Sequence, residues 1–149
     1  MRAGSKYAQE GMTLIEVLVA LLILTVGLLG AAAVQLNALK YTDSSRMTSQ
    51  ASFIAYDMMD RIRANSGADY TVTPPTTGNL SVARDQDLYD FTTNIVNFGG
   101  PTATGSITLN QRVYTITITW DDSRAANTPN ARRSLVLSSR AAVDPVVTP

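Results

Sequence analysis

Glu16 is the residue of this chain whose position points most directly to chemistry. It stands at the entrance of an almost unbroken apolar run over residues 17–34. A carboxylate beside a membrane-length apolar segment costs a few kcal/mol unless a partner neutralises it, so an acid in this position is by default a candidate functional residue. We therefore expect Glu16 to meet a positive charge.

Two ordinary interpretations of the same region are open. Thr13 and Glu16 have the T-x-x-E spacing of a capping box, in which the Thr side chain accepts a hydrogen bond from a first-turn amide. Arg2, Lys6, the apolar run and the alanines at 31–33 also have the layout of a secretory signal peptide. Against a signal peptide, the run has roughly eighteen residues where about 7–15 are usual, and an acid stands at its entrance.

The residue inventory excludes most kinds of active site. Among the 149 residues there is no cysteine and no histidine, so the chain has no disulfide framework, thiol nucleophile, imidazole base or Cys/His zinc site. Twelve basic and twelve acidic residues give a formal net charge of zero, which provides no general attraction for nucleic acid. We predict about one domain that is not an enzyme and needs no cofactor.

The apolar run also predicts a membrane topology. At 1.5 Å per residue, its roughly eighteen residues span about 27 Å, close to the roughly 30 Å of a hydrocarbon core. Because Arg2 and Lys6 precede the run, the positive-inside rule leaves the N-terminus in the cytoplasm and sends the rest of the chain across. We expect a single crossing.

Periodicity beyond the run predicts an α+β protein with a long N-terminal helix packed on a small antiparallel sheet. Apolar residues continue at helical spacing, which extends one helix over 13–64. A loop containing Pro74-Pro75 follows, and then a short amphipathic helix over 85–97. Period-two alternation predicts three strands of a meander around 107–109, 114–120 and 135–137, with turns at 110–111 and 121–130.

Three acids at the start of the short helix could be mistaken for a calcium-binding loop. They are Asp85, Asp87 and Asp90. Their spacing lacks the Gly and the distal Glu of an EF-hand. Acids in a first helical turn are expected from the helix dipole alone. We predict no metal site there.

The segment from Gly11 to Glu16 resembles the N-terminus of type IV prepilins and the related secretion pseudopilins. In that family a short basic leader ends in Gly, the next residue becomes the methylated N-terminus, and the fifth mature residue is Glu. Gly11, Met12 and Glu16 occupy these positions, with Met12 in place of the usual Phe. The resemblance implies cleavage between Gly11 and Met12 by the prepilin peptidase, N-methylation of Met12, and pairing of Glu16 with the Met12 amine of a neighbouring subunit. Each buried charge then offsets the other's desolvation cost.

Gly27 and Gly30 interrupt the Leu, Ile and Val residues of the run. One role for them is close helix packing in lipid. The other is a flexible point where the helix stretches or unwinds within a filament, because Gly costs roughly 1 kcal/mol relative to Ala in a helix. Both roles are open. Many pilins carry a Pro just beyond this region, and this chain has none there.

Four later segments look like landmarks of the PilV-type minor pilin, also called type IV pilus modification protein. They are DRIRAN (60–65), DLYD (87–90), GSI (105–107) and YTITITW (114–120). The resemblance implies a pilin-like fold and a minor pilin that primes pilus assembly in a tip complex. Its implied partners are inner-membrane lipid before assembly, then other minor pilins, the major pilin and a tip adhesin, in an extracellular pilus. Members often carry a cysteine pair that this chain lacks.

The resemblance divides the chain into five parts. They are a cleaved leader at 1–11, the transmembrane and filament-core half of the long helix at 12–34, its amphipathic half at 35–65, a small α+β head at 66–143 and a flexible tail at 144–149.

Three other functions are weighed against the minor pilin. A minor pseudopilin of a type II secretion system has the same N-terminal chemistry. A DNA-uptake minor pilin would use the late basic residues Arg124, Arg132, Arg133 and Arg140, although a solvated strand edge explains them equally well. A secreted enzyme released by signal peptidase would start near Val34 instead of at Met12.

Overall fold

The computed structural model describes residues 11–141 and confirms the α+β class. Its elements are α1 (Leu14–Ala64), α2 (Ala83–Gly99), β1 (Thr104–Asn110), β2 (Val113–Asp121), α3 (Ser123–Ala126) and β3 (Arg132–Arg140). The residues divide into two compact units, one up to Leu39 and one from Lys40, which we describe separately. All but the last residue of the predicted leader, and the predicted tail, lie outside the described residues.

In the first unit, the helix α1 begins at Leu14 and continues without a break through Gly27 and Gly30. Its residues are mostly Leu, Ile, Val and Ala, which keep their backbone hydrogen bonds within the segment. Thr25, a polar residue of this stretch, donates its hydroxyl to the Leu22 carbonyl at 2.8 Å. The backbone of the first half of the helix therefore satisfies its hydrogen bonds internally, as hydrocarbon requires.

In the second unit, three antiparallel strands form a sheet in the order β1-β2-β3. The β1–β2 turn has Gln111 and Arg112 at its centre, both in the left-handed region with φ of 47° and 66°. Positive φ at two central residues matches the right-handed twist of a hairpin. The turn therefore lies one residue later than predicted.

The alternation along β2 separates the two faces of the sheet. Tyr114, Ile116, Ile118 and Trp120 are buried, while the threonines between them face outward. The buried side chains form one hydrophobic core with residues of both helices. From α1 they are Ala51, Ala55, Met58, Met59 and Ile62, and from α2 they are Leu88, Phe91 and Ile95. The two helices thus cover one face of the sheet and leave the other to solvent.

Gly105 allows α2 to approach β1 closely. It lies opposite Ile118 in the β1–β2 register. A Cβ at this position would overlap Ile95 Cδ1 and come within 2.8 Å of Phe91 Cε1. The close packing of α2 on β1 therefore requires glycine at position 105.

Several elements extend beyond their predicted bounds. β3 has nine residues where three were predicted, because its backbone pairs with β2 along its whole length. α2 begins two residues earlier and ends two residues later than predicted. The short helix α3 was not predicted, and it lies in the segment expected to be a loop.

A polar cluster around Arg61 joins the end of α1 to α2. Arg61 contacts Asp57 at 2.9 Å on its own helix, and Asp87 and Asp90 of α2 at 2.9 and 3.2 Å. The hydrogen bond to Asp87 is the main reason why the pKa of Arg61 lies above its ordinary value. The cluster holds the two helices together from their solvent side.

Tyr70 attaches the loop after α1 to the same cluster. Its ring is fully buried. Its hydroxyl donates to Asp87 at 2.8 Å and accepts from Asn65 Nδ2 at 3.2 Å. Burial, followed by the hydrogen bond to Asp87, raises the pKa of Tyr70 to about 12. The neutral phenol is therefore the form that the fold stabilises.

We expect Gly105→Ala to destabilise the second unit by about 1–3 kcal/mol, because the added methyl group forces Ile95 and Phe91 out of their packing positions. Urea unfolding of the full chain in detergent, followed by the fluorescence of Trp120, the one tryptophan of the chain, measures the change. Gly67→Ala is the matched control, since its Cβ would meet nothing within 4 Å. Equal midpoints for the two variants would contradict the close approach.

We expect the free energy of unfolding to fall as the pH rises from about 10 to about 12. The pKa of Tyr70 is higher in the folded state than its ordinary value, so its contribution is complete below about pH 10 and is lost as the pH approaches 12. Tyr70→Phe should show a smaller fall over that range, and a stability at pH 7 lower by about 1–2 kcal/mol because Asp87 and Asn65 lose a partner.

Trp120 fluorescence at a series of urea concentrations and pH values tests this expectation. Burial also raises the pKa of Tyr114, so part of the alkaline fall should remain in Tyr70→Phe. Tyr56→Phe removes a hydroxyl from an exposed ring and is the control. An alkaline profile of Tyr70→Phe that coincides with that of the control would refute the assignment.

Candidate functional site

Gly11, Met12 and Thr13 form a short exposed segment immediately before α1. Met12 has 71% of its surface exposed. Thr13 caps the helix: its Oγ1 accepts a hydrogen bond from the Glu16 amide at 3.3 Å, and its carbonyl oxygen accepts from the same amide at 3.0 Å. This is the Thr half of the predicted capping box. The Gly11–Met12 bond thus lies before the helix, and both of its residues are exposed.

Glu16 lies in the first turn of α1, where its charge is favourable for the helix dipole. Its side chain is exposed, and within residues 11–141 no cation lies at ion-pair distance from it. Apolar residues precede and follow it along the chain. Among residues 11–141, no positive group therefore neutralises the Glu16 carboxylate.

Every residue from 11 to 39 is exposed, which is unusual for a segment of this composition. Its most apolar window has a mean hydropathy of 2.8, and the helix is long and apolar enough to cross a membrane. Apolar surfaces larger than a few hundred Å² mark contacts with lipid or protein. Together with the N-terminal motif, this helix is consistent with membrane anchoring.

The predicted site residues fall into two groups along this helix. Gly11, Met12 and Glu16 are gathered within the first turn and the segment before it. Gly27 and Gly30 lie further along, and a Cβ added to either would meet nothing within 4 Å. The roles of these five residues in processing, methylation, assembly and flexibility stay predictions.

Late arginines bind acceptors of their own chain, as Arg124, Arg132 and Arg133 show. Arg124 contacts Asp43 at 3.1 Å, and Arg132 donates to the Thr102 carbonyl at 2.7 Å. Arg133 donates to Ser44 at 2.6 Å and lies 3.5 Å from Asp122. Because these arginines already bind groups of the same chain, the argument for a basic nucleic-acid surface is weaker.

The acids Asp87 and Asp90, weighed as calcium ligands, accept hydrogen bonds from Arg61 instead. Asp85 pairs with its neighbour Arg84 at 2.7 Å. Among the described residues there is no group of three or more His, Cys, Asp or Glu side chains placed to hold a metal ion. The arginine partners explain why these acids lie together.

Sequence reasoning missed two polar links that organise the second unit. One is the Arg61 cluster, and the other is Ser44, which donates to Asp122 at 3.1 Å while accepting from Arg133. The i, i+4 spacing of Asp57 and Arg61 was a readable signal for the first link. Ser44 gave no signal, because its partners are 78 and 89 positions away.

Comparison with known proteins bears on the N-terminal part of the chain. Residues 6–32 match the model of the prokaryotic N-terminal methylation motif. No curated protein and no solved structure matches the chain. The match includes Gly11, Met12, Glu16 and both helix glycines. A methylation motif that opens an exposed apolar helix, followed by a small α+β unit, is similar to the arrangement of type IV prepilins and supports a prepilin-like protein.

Proposed function

We propose that this protein is a minor pilin of a type IV pilus, of the PilV type, which helps to prime assembly in a tip complex with other minor pilins. The observation that carries the proposal is the methylation motif over residues 6–32, which includes the start of a helix whose residues up to Leu39 are all exposed. The landmarks at 60–65, 87–90, 105–107 and 114–120 support the PilV branch.

Processing creates the positive charge that pairs with the Glu16 carboxylate. Cleavage of the Gly11–Met12 bond by the prepilin peptidase creates an amine at Met12, and methylation of that amine leaves it positively charged. In a filament, the Met12 amine of one subunit pairs with Glu16 of its neighbour. Removing either partner leaves the other charge unpaired in an apolar environment, which costs about 3–5 kcal/mol.

The apolar half of α1 moves from one apolar environment to another during assembly. Lipid covers it first, with the chain crossing the inner membrane once, and the helices of other pilins cover it afterwards. Because lipid and the neighbouring helices are both apolar, moving this helix surface from one to the other changes its hydrophobic free energy little. Gly27 and Gly30, whose sides are open, allow neighbouring helices to approach closely or the helix to stretch.

A minor pseudopilin of a type II secretion system is the competing function, since it requires the same motif and the same helix. The two functions separate by phenotype. Deletion that abolishes extruded pili supports the minor pilin, whereas a selective defect in exoprotein release supports the pseudopilin.

A tip adhesin is a further candidate partner of the minor pilin.

We expect the mature protein to begin with N-methylated Met12. Mass spectrometry of the N-terminal peptide, in cells with and without the prepilin peptidase, measures this directly. The peptidase-deficient cells are the control and should contain only the unprocessed chain. A mature chain that begins near Val34 would instead identify a signal peptide and overturn the proposal.

We expect Glu16→Ala and Glu16→Gln to be processed and inserted into the membrane but to assemble poorly, because the Met12 amine then has no carboxylate to meet. Pilus yield in sheared fractions, at matched cellular protein levels, is the measurement. Thr13→Ala, which removes the hydroxyl that caps the Glu16 amide and keeps the charge, is the matched control. Normal piliation in Glu16→Gln would show that the carboxylate is not needed.

A further inference from the structure

A groove lies between α1 and α2 in the second unit, and we call it the α1–α2 groove. From α1 it is lined by residues at helical spacing between Asp43 and Ile54, and from α2 by Asn94, Asn97 and Phe98. Its volume is about 560 Å³. Small-molecule sites usually have volumes of roughly 300–1,000 Å³, so the groove has room for a ligand of that size.

Part of the groove is apolar. Met47, Ile54 and Phe98 line it and pack against the hydrophobic core, so they are partly buried. Phe53 also lines it, and 73% of its surface is exposed. The electron-rich face of an aromatic ring attracts C–H groups that carry a partial positive charge. The groove therefore offers an apolar wall and an exposed aromatic ring.

The polar side chains that line the groove are mostly without partners in the fold. Four of them are exposed, and they are Arg46, Gln50, Asn94 and Asn97. Within residues 11–141, none of these four side chains makes a hydrogen bond or an ion pair. Asp43, the other polar lining residue, pairs with Arg124 at 3.1 Å. Arg46 is therefore a cation whose charge the fold leaves unpaired.

An adjoining depression shows the opposite arrangement. It shares Met47 with the α1–α2 groove. Lys40, which lines it, donates to Asn127 at 2.6 Å, and Ser44 donates to Asp122 at 3.1 Å. The fold thus pairs polar groups in that depression and leaves those of the α1–α2 groove open to hydrogen bonds with another molecule.

The chemistry of these unpaired groups favours one class of ligand. The amides of Gln50, Asn94 and Asn97 each have donor N–H groups and an acceptor oxygen, so they match hydroxyl groups, which both donate and accept. The guanidinium of Arg46 presents parallel N–H donors to a carboxylate. Among the described residues that line the groove, Arg46 is the one unpaired cation, so it matches a single negative charge better than a polyanion such as nucleic acid.

We propose that the α1–α2 groove binds an acidic saccharide, a sugar that carries a carboxylate beside its hydroxyl groups. Arg46 binds the carboxylate, the amides of Asn94 and Asn97 bind hydroxyls, and the Phe53 ring covers the C–H face of the sugar. The inference concerns the second unit and does not depend on how the N-terminus is processed or on which assembly the protein joins.

An amide-shift titration of the full chain in sugar-free detergent micelles tests the proposal, with trigalacturonate at millimolar concentration as the probe. We expect shifts at the residues that line the groove and a dissociation constant in the millimolar range. The methyl ester of trigalacturonate keeps the free hydroxyls and lacks the charges. It should bind about tenfold more weakly, because it forms no charge-assisted hydrogen bond with Arg46.

Two variants divide the site into its parts. Arg46→Gln should bind the acid about tenfold more weakly and lose the preference over the ester, whereas Phe53→Leu should weaken the binding of both by about threefold. Arg84→Gln and Tyr56→Leu are the matched controls, since they change a cation and an exposed aromatic ring outside the groove, and should bind like wild type. Trp120 fluorescence checks that each variant is folded.

Several results would contradict the acidic-saccharide site. They are no shift of the groove amides with trigalacturonate, equal binding of the acid and the ester to wild type, and an unchanged preference in Arg46→Gln. Glutarate is an acid without hydroxyls, and binding as tight as that of trigalacturonate would identify a plain anion site instead. Tighter binding of the peptide acetyl-Asp-Phe-Asp-amide would identify a peptide site.

Discussion

The apolar surface of residues 14–39 is the constraint on which the rest of this protein depends. All of its side chains are exposed, so the chain does not bury this surface by itself. A surface of this kind is typical of contact with lipid or protein, since water contact with so much apolar area is unfavourable. Glu16 lies at the entrance of this segment, and in the proposed function the same environment supplies its positive partner.

The second unit is stabilised by different interactions. Without cysteine, its loops are attached by packing and by polar contacts. Tyr70 anchors the loop after α1 through Asp87, and Asp122 holds the β2–β3 connection through Ser44 and Arg133. Tyr70 and Asp122 each link a loop to a helix, and Arg133 links β3 to both Ser44 and Asp122. The polar contacts thus attach the loops, as a disulfide would, but their strength depends on pH and salt.

The elements themselves were largely predictable. The continuous helical stripe of α1 and the alternation of Tyr114, Ile116, Ile118 and Trp120 follow from local periodicity, and the structure confirms both. The ends of β3 were missed because Arg132, Arg133 and Ser138 show no apolar alternation. Only pairing with β2 makes them a strand. The same reason explains α3, which is four residues long and too short for a periodic signal.

The sequence by itself determined the N-terminal site, because the Gly11–Met12 bond, Glu16 and the apolar helix are neighbours along the chain and need no tertiary contact to be recognised. The tertiary structure decided which charged side chains are paired with groups of the same chain. Arg61 and Arg124 read as exposed basic residues, yet the fold brings them to acids 26 and 81 positions away. It also brings Arg133 to Asp122, in the connection between β2 and α3. It also decided the extent of β3, because pairing with β2 and not local periodicity defines its nine residues.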